Sequence, residues 1–339
     1  HRSVIVRPSF VTEIKHAVLI PKATAPVGTS TSQAVWLIGD ELLRQTPTGT
    51  LIWRNTPIPG TKVVGWTNDS NRLLTTTNGR FFWTDLAAGS STEVAQRLRA
   101  LGLALPKGAN ITTVPQNSSW LILSTDRTIS LFDLENDTVT VIASTTGPAA
   151  IGLVSATRNL IAWSAGRTDP ERTELSVLDL NSSAVSTTTI PGQTIRLAWS
   201  KNGGHLGILQ NTNALYLYDP KSHTFMPRAN DVHDFDFTND DSRLAALDWH
   251  SLEIFSFTTD DYWRFNIPDA ENLKRVAWYT DGAHLILEYP DRFALLDLDD
   301  AGLENVQTIT TASAGVYDER ANTLYFISAG NIFSLVFPK

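Results

Sequence analysis

The chain predicts an all-β fold, a single closed β-propeller of four-stranded blades, eight favoured over seven, with one short inserted helix near 91–101. Three features of its 339 residues carry this expectation. First, "RLAWSKNGGHLGILQ" (196–210) returns without gaps as "RVAWYTDGAHLILEY" (275–289), aligning Arg196 with Arg275, Trp199 with Trp278, Gly203 with Gly282, His205 with His284 and Leu206 with Leu285. Second, weaker copies keep one rule, a large residue followed seven positions later by leucine: Trp66 and Leu73, Val114 and Leu121, Leu153 and Leu160, Phe237 and Leu244, Tyr317 and Leu324. Third, five of the apolar strands after these hairpins stop at an aspartate: Asp85, Asp133, Asp179, Asp219 and Asp297.

Each copy reads as strand, tight turn, strand, because β-branched and aromatic residues alternate between clusters of Asp, Asn, Gly and Ser. Aspartate ends the third strand because its carboxylate can accept the backbone N–H groups of the following turn. A fourth, more polar strand comes next, as in "TVTVIAS" (138–144) and "AVSTTTI" (184–190). Four strands in about 40 residues is the period of a propeller blade, whose faces are buried only by its neighbours. The recurrent Trp, Leu and small residues therefore answer a packing requirement, not a chemical one.

In chain order, one domain (1–339) is divided into blades at about 14–58, 62–106, 111–144, 150–190, 195–228, 233–267, 274–311 and 314–339. The first takes "VWLIGD", "ELLRQT" and "TLIWRN" as later strands and "HAVLIPK" (16–22) as its first. The last has only three strands, and an unpaired sheet edge invites wrong pairing. Residues 1–10, containing "RSVIVRP", are expected to supply its fourth strand beside Phe333–Phe337 and close the ring. Two insertions break the rhythm. In 90–106, Ser90 and Glu93 have capping-box spacing, Val94, Leu98 and Leu101 share a helical face, and Gly102 is a stop signal. This helix is expected to replace or precede the outer strand of blade two. "SAGRTDPERTEL" (164–175) is a charged loop widening a hairpin of blade four.

The hairpins of the form apolar-Trp-x-x-Asp-Gly-x-x-Leu, followed by apolar strands ending in Asp, resemble the TolB-like and WD40-like propeller superfamily over roughly 62–337. The Trp-Asp dipeptide of WD40 repeats in the narrow sense is absent, so the resemblance is to the broader group. It implies protein partners. A TolB-like propeller can also cover the active site of a serine peptidase, but that takes a second, hydrolase domain for which this chain has no room.

Composition narrows the function classes. With 27 Lys and Arg against 35 Asp and Glu the net charge is −8, which argues against the basic footprint that nucleic acid requires. The chain has no cysteine, which removes disulfides, thiolate metal sites and cysteine nucleophiles and favours an extracytoplasmic setting, secreted, periplasmic or at the cell surface. No apolar run reaches the 18 or so residues of a membrane span. The chain starts at His1, and the expectation is a mature or excised portion of a longer protein, with an anchor or domain upstream. No GxSxG, HExxH, P-loop, dinucleotide or EF-hand pattern occurs, so no catalytic residue, cofactor or metal is assigned. The reading is a non-enzymatic protein-binding or scaffolding module, a monomer. The alternative is a hydrolase or lyase with its site in the central channel.

Candidate binding residues follow from the repeat. Three positions before the large apolar residue, blades five, six and seven carry Arg196, Asp234 and Arg275, which should neighbour one another around the channel. They form either a cationic groove for an anionic group or an Arg-Asp-Arg network stitching the blades, and Asp234 between the two arginines favours the network. Arg167, Glu171 and Arg172 in the charged loop, and Tyr262 and Trp263 on a predicted outer strand, are candidate partner contacts. His205 and His284 are repeat positions, and alternation places His233 opposite Asp234 and Asp236, which weakens a metal reading.

Overall fold

The structure, a computed structural model, describes residues 18–20, 34–38, 41–45, 51–54, 62–66, 72–85, 88–105, 108–114, 119–125, 127–144, 151–154, 160–166, 172–182, 184–220, 222–259, 261–298, 306–312, 314–318, 322–329 and 331–337. Among the described residues it is all-β apart from one α-helix and one 3-10 turn. Seven four-stranded antiparallel meanders, sheets 1 to 7, occupy 18–54, 62–93, 110–144, 151–191, 194–229, 232–266 and 275–311. A three-stranded sheet 8 occupies 314–336. Seven complete blades match the smaller of the two expected numbers. The closing strand expected from residues 1–10 lies outside the described residues.

By its contacts the chain divides into two compact units, one of residues 1–22, 30–55 and 229–339, the other of 23–29 and 56–228. In the second unit, sheets 2 and 3, and sheets 4 and 5, meet through their first strands, while the second strand of sheet 3 meets the first of sheet 4. Lys62–Trp66 lies beside Asn110–Thr113, and Ile151–Val154 beside Thr194–Trp199. The approach of sheets 2 and 3 is so close that a Cβ on Gly65 would fall 2.5 Å from Thr113 Oγ1. Leu74, Trp83, Ile111, Leu121 and Phe132 form the core between these two sheets.

In the first unit, Val232–Phe237 lies beside Arg275–Trp278, and Val18–Ile20 of sheet 1 beside Ala314–Asp318 of sheet 8. First strands are sheet edges, and their outward N–H groups need acceptors. Sheet 6 supplies them to sheet 7: Val276 N donates to Asp234 Oδ2 (2.9 Å), Trp278 N to Asp236 Oδ2 (3.2 Å), and the Trp278 indole N–H to the Asp236 carbonyl (3.1 Å). Two carboxylates at alternate positions of one strand thus lace the next sheet, because period-two alternation points both the same way.

All five expected strand stops occur, at Asp85, Asp133, Asp179, Asp219 and Asp297. The mechanism is the expected one at three of them: Ala88 N donates to Asp85, Glu135 N to Asp133 and Asn181 N to Asp179, at 2.8, 2.9 and 2.8 Å.

The helix covers Val94–Ala100, but its start departs from the expectation. Ser90–Glu93 is the outer strand of sheet 2, with Ser90 paired to Asp85 and Glu93 to Phe82. Ser90 is therefore no cap, and the helix follows the outer strand instead of replacing or preceding it. Glu93 accepts from Arg80 (2.6 Å) and not from a helix N–H. Pairing with Phe82–Asp85 extends the ladder of sheet 2 by a whole strand, which a single capping box cannot match. Val94 and Leu98 are buried in the core between sheets 2 and 3, and Arg97 reaches Asp137 (2.8 Å) and the Leu134 carbonyl of sheet 3. The helix ends in a Schellman motif: Leu103 N donates to Leu98 O and Gly102 N to Arg99 O, with Gly102 at φ 73°. No atom crowds a Cβ there, so Gly102→Ala isolates backbone strain. A loss of about 1 kcal/mol in urea unfolding is expected; an unchanged midpoint would show that the motif contributes nothing.

Candidate interaction surface

On the outer strand of sheet 6, Tyr262–Asn266, two large rings at consecutive positions reach solvent, one on each face of the strand. Tyr262 is 51% exposed and Trp263 40%. An outer strand has one edge unpaired, and its neighbour Ser251–Ser256 meets it in the register Ile254 to Trp263 and Phe255 to Tyr262. Both rings are held rigidly. Tyr262 packs on Phe255 (centroids 5.3 Å apart) and its hydroxyl donates to Glu253 Oε1 (2.8 Å); partial burial and then this bond raise its pKa. Trp263 carries the Arg243 guanidinium 5.8 Å from its centroid, and Arg243 itself donates to the Gly282 carbonyl (2.9 Å).

Arg264, the next residue, anchors the strand. It donates to Ser251 Oγ (2.8 Å) and to Asp248 Oδ2 (3.1 Å). Asp248 is buried and also accepts from the His250 and Ser251 N–H groups (2.6 and 2.5 Å) and the Ser251 hydroxyl (2.6 Å). Burial alone would raise its pKa; the Ser251 and His250 donations and the Arg264 charge outweigh it and hold the carboxyl below its ordinary value. The result is a rigid strand presenting two aromatic faces, the kind of preorganised amphipathic area from which interface hot spots are made.

Of the other expected contacts, Arg172 is exposed at the start of Arg172–Asp179, opposite Pro191, while Arg167 and Glu171 lie outside the described residues. Arg196 is half-buried opposite Leu209 in sheet 5. Asp234 and Arg275 are brought close in the first unit: Asp234 accepts from Val276, the residue after Arg275. A third group joins them that the repeat alignment did not pick out. Glu288 pairs opposite Arg275, and burial raises its pKa, against the lowering by Arg275 and Lys274 and with a further rise from Asp234. Its signal was available, since hairpin pairing sets position 288 opposite 275, whereas the matching position opposite Arg196 is Leu209.

His284 Nδ1–H donates to Asp281 Oδ2 (2.7 Å) beside Asp297, and its ring meets Tyr279 edge-on. His205 closes the matching turn, its N–H on Ser200 Oγ (3.0 Å). His233 falls at a β-bulge between Val232 and Asp234; its ring stacks on the exposed Trp249 at 4.5 Å and Nε2 meets the Leu273 carbonyl (3.0 Å). Among the described residues no three His, Asp or Glu side chains converge as a metal site, and no helix is long and apolar enough to cross a membrane.

No protein-family profile and no curated protein matches the chain. Among solved structures it is similar to a chain in the crystal structure of a mitotic checkpoint complex, with a TM-score of 0.54 and 13% identity over 82% of this chain and 89% of that one. In all, 1312 solved chains match, so the likeness specifies a fold and not a partner. That fold is a WD40-like β-propeller.

Proposed function

We propose that this WD40-like propeller is a non-enzymatic protein-binding or scaffolding module, and that Tyr262 and Trp263 form part of its contact surface. The observation that carries the reading is their paired exposure on a strand pinned by Arg264, Asp248 and Ser251, because ordered, solvent-facing aromatics gain the most area on association at the least entropic cost. The structurally similar chain comes from a multiprotein complex, which accords with such a role. The cysteine-free sequence supports a place outside the cytoplasm, and Arg196, Asp234, Arg275 and the charged loop with Arg167, Glu171 and Arg172 are secondary contact candidates.

The test is quantitative affinity capture from the native source with the wild-type chain and the double variant Tyr262→Ser, Trp263→Ser, both confirmed folded by circular dichroism. One or more specific partners are expected to fall at least about tenfold, the effect of losing 1.4 kcal/mol. An unchanged set of partners would remove the outer strand from the contact surface.

A further inference from the structure

Asp179 differs from Asp85, Asp133 and Asp297. In sheets 2, 3, 4 and 7 the aspartate that stops the third strand faces, across the ladder, the first residue of the second strand. In sheet 2 that residue is Arg72, which pairs with Asp85 at 3.6 Å. In sheet 7 it is His284, 3.7 Å from Asp297. In sheet 3 it is Trp120, whose indole N–H helps hold Asp133 low. In sheet 4 it is Leu160. Asp179 keeps its turn bonds, accepting from Asn181 N (2.8 Å) and Ser182 Oγ (3.0 Å), and these hold its carboxyl below the ordinary range. It has no cation partner among the described residues.

Where Asp85, Asp133 and Asp297 meet a donor across the ladder, Asp179 faces Leu160 and borders a cleft of about 370 Å³ between the outer parts of sheets 4 and 5. That size is within the range of small-ligand sites. Leu160, Val177 and Tyr218 contribute to its lining. Also in the lining, Ser186 Oγ, Tyr218 Oη and His223 Nδ1 form a hydrogen-bonded chain with steps of 3.0 and 2.9 Å. Tyr218 is 2% exposed, so its hydroxyl is a fixed point, while His223 Nε2 has no partner among the described residues. His223 holds a left-handed backbone (φ 54°), a conformation uncommon for a non-glycine residue. The described lining contains one carboxylate and no lysine or arginine.

We propose that this cleft binds a small organic amine, its ammonium on Asp179 and its apolar body against Val177 and Tyr218. An ammonium supplies the donors that Arg72, Trp120 and His284 supply elsewhere. The Ser186–Tyr218–His223 chain meets polar substituents on the ligand frame. This site is separate from the outer strand of sheet 6 and stands or falls without it.

Benzylamine is the probe, with benzyl alcohol and benzoate as neutral and anionic counterparts of the same shape, titrated into the whole chain and followed by ¹⁵N NMR. Benzylamine is expected to saturate at millimolar concentration and to move the resonances of Ser186 and His223, and the other two are expected not to. Asp179→Asn, which keeps an acceptor for the turn, is expected to weaken binding about tenfold, the loss of one charge-assisted bond. Leu160→Arg, which installs the internal cation that sheet 2 carries at Arg72, is expected to abolish it. The proposal is overturned if benzyl alcohol binds as well as benzylamine, if Asp179→Asn binds unchanged, or if benzylamine shows no saturation by about 10 mM.

Discussion

Replacing Trp278 by alanine is expected to lower the stability of the unit that holds sheets 6 and 7 by about 3–5 kcal/mol, read from urea or guanidinium unfolding. Trp278 is 1% exposed and fills the space among Ala245, Leu247, Leu287 and Leu296. Truncation removes that burial and leaves a cavity that a meander of paired strands cannot close. It also deprives the Asp236 carbonyl of the indole N–H. Trp278→Phe retains most of the volume and is expected to cost about 1–2 kcal/mol, so the difference between the two variants separates packing from the hydrogen bond. The repeat supplies an internal control: Trp199, at the equivalent place in sheet 5, is only half-buried, and its alanine variant should cost less. A Trp278→Ala loss below about 1.5 kcal/mol would show that this residue is not the wedge between the two sheets.

The second large effect concerns Asp248. Its alanine variant is expected to lose about 3 kcal/mol at neutral pH, because the N–H groups of His250 and Ser251 and the Ser251 hydroxyl then have no acceptor. Arg264, half exposed, can return to water, so its charge adds little to that loss. The pH dependence follows from the direction of the shift. The folded-state pKa is depressed, so the ionised carboxylate stabilises the fold at every pH above the unfolded value of about 3.9, and that contribution disappears as pH falls through the lower folded value. The gap between wild type and Asp248→Ala should therefore be full at pH 7 and shrink below about pH 4. A gap independent of pH from 7 to 2.5 would mean that the carboxylate charge is irrelevant to the turn. Because Arg264 also pins the strand of Tyr262 and Trp263, the same variant is expected to weaken partner capture in parallel.

Much of this arrangement was legible before any coordinates. The hairpin frames, the five aspartate stops and the four-strand period depend on local pattern, and local pattern is what a sequence displays directly. Gly102 as a helix stop and the shared face of Val94 and Leu98 were readable for the same reason. The outer-strand position of Tyr262 and Trp263 was readable as well, since the blade rhythm counts strands outward.

The start of the helix was not, because Ser90–Glu93 satisfies two local rules at once and only pairing with Phe82–Asp85 chooses between them. Nor were the partners of individual charges. Asp234 reads as a channel candidate in sequence, yet it and Asp236 lace the edge of the neighbouring sheet; Glu288 faces Arg275 from the next strand; Asp248 gathers donors from its own turn and from Arg264 sixteen residues on.

The sequence alone therefore determined the repeating unit of this protein, its strand order and the turn chemistry that ends each third strand. The tertiary structure alone decided which side chain each carboxylate meets, and hence that Asp179 faces Leu160 and borders a cleft while Asp85 faces Arg72. The physical reason is range: alternation and turn preference act between residues a few positions apart, whereas charge pairing and cavity shape depend on register and on the neighbouring sheet.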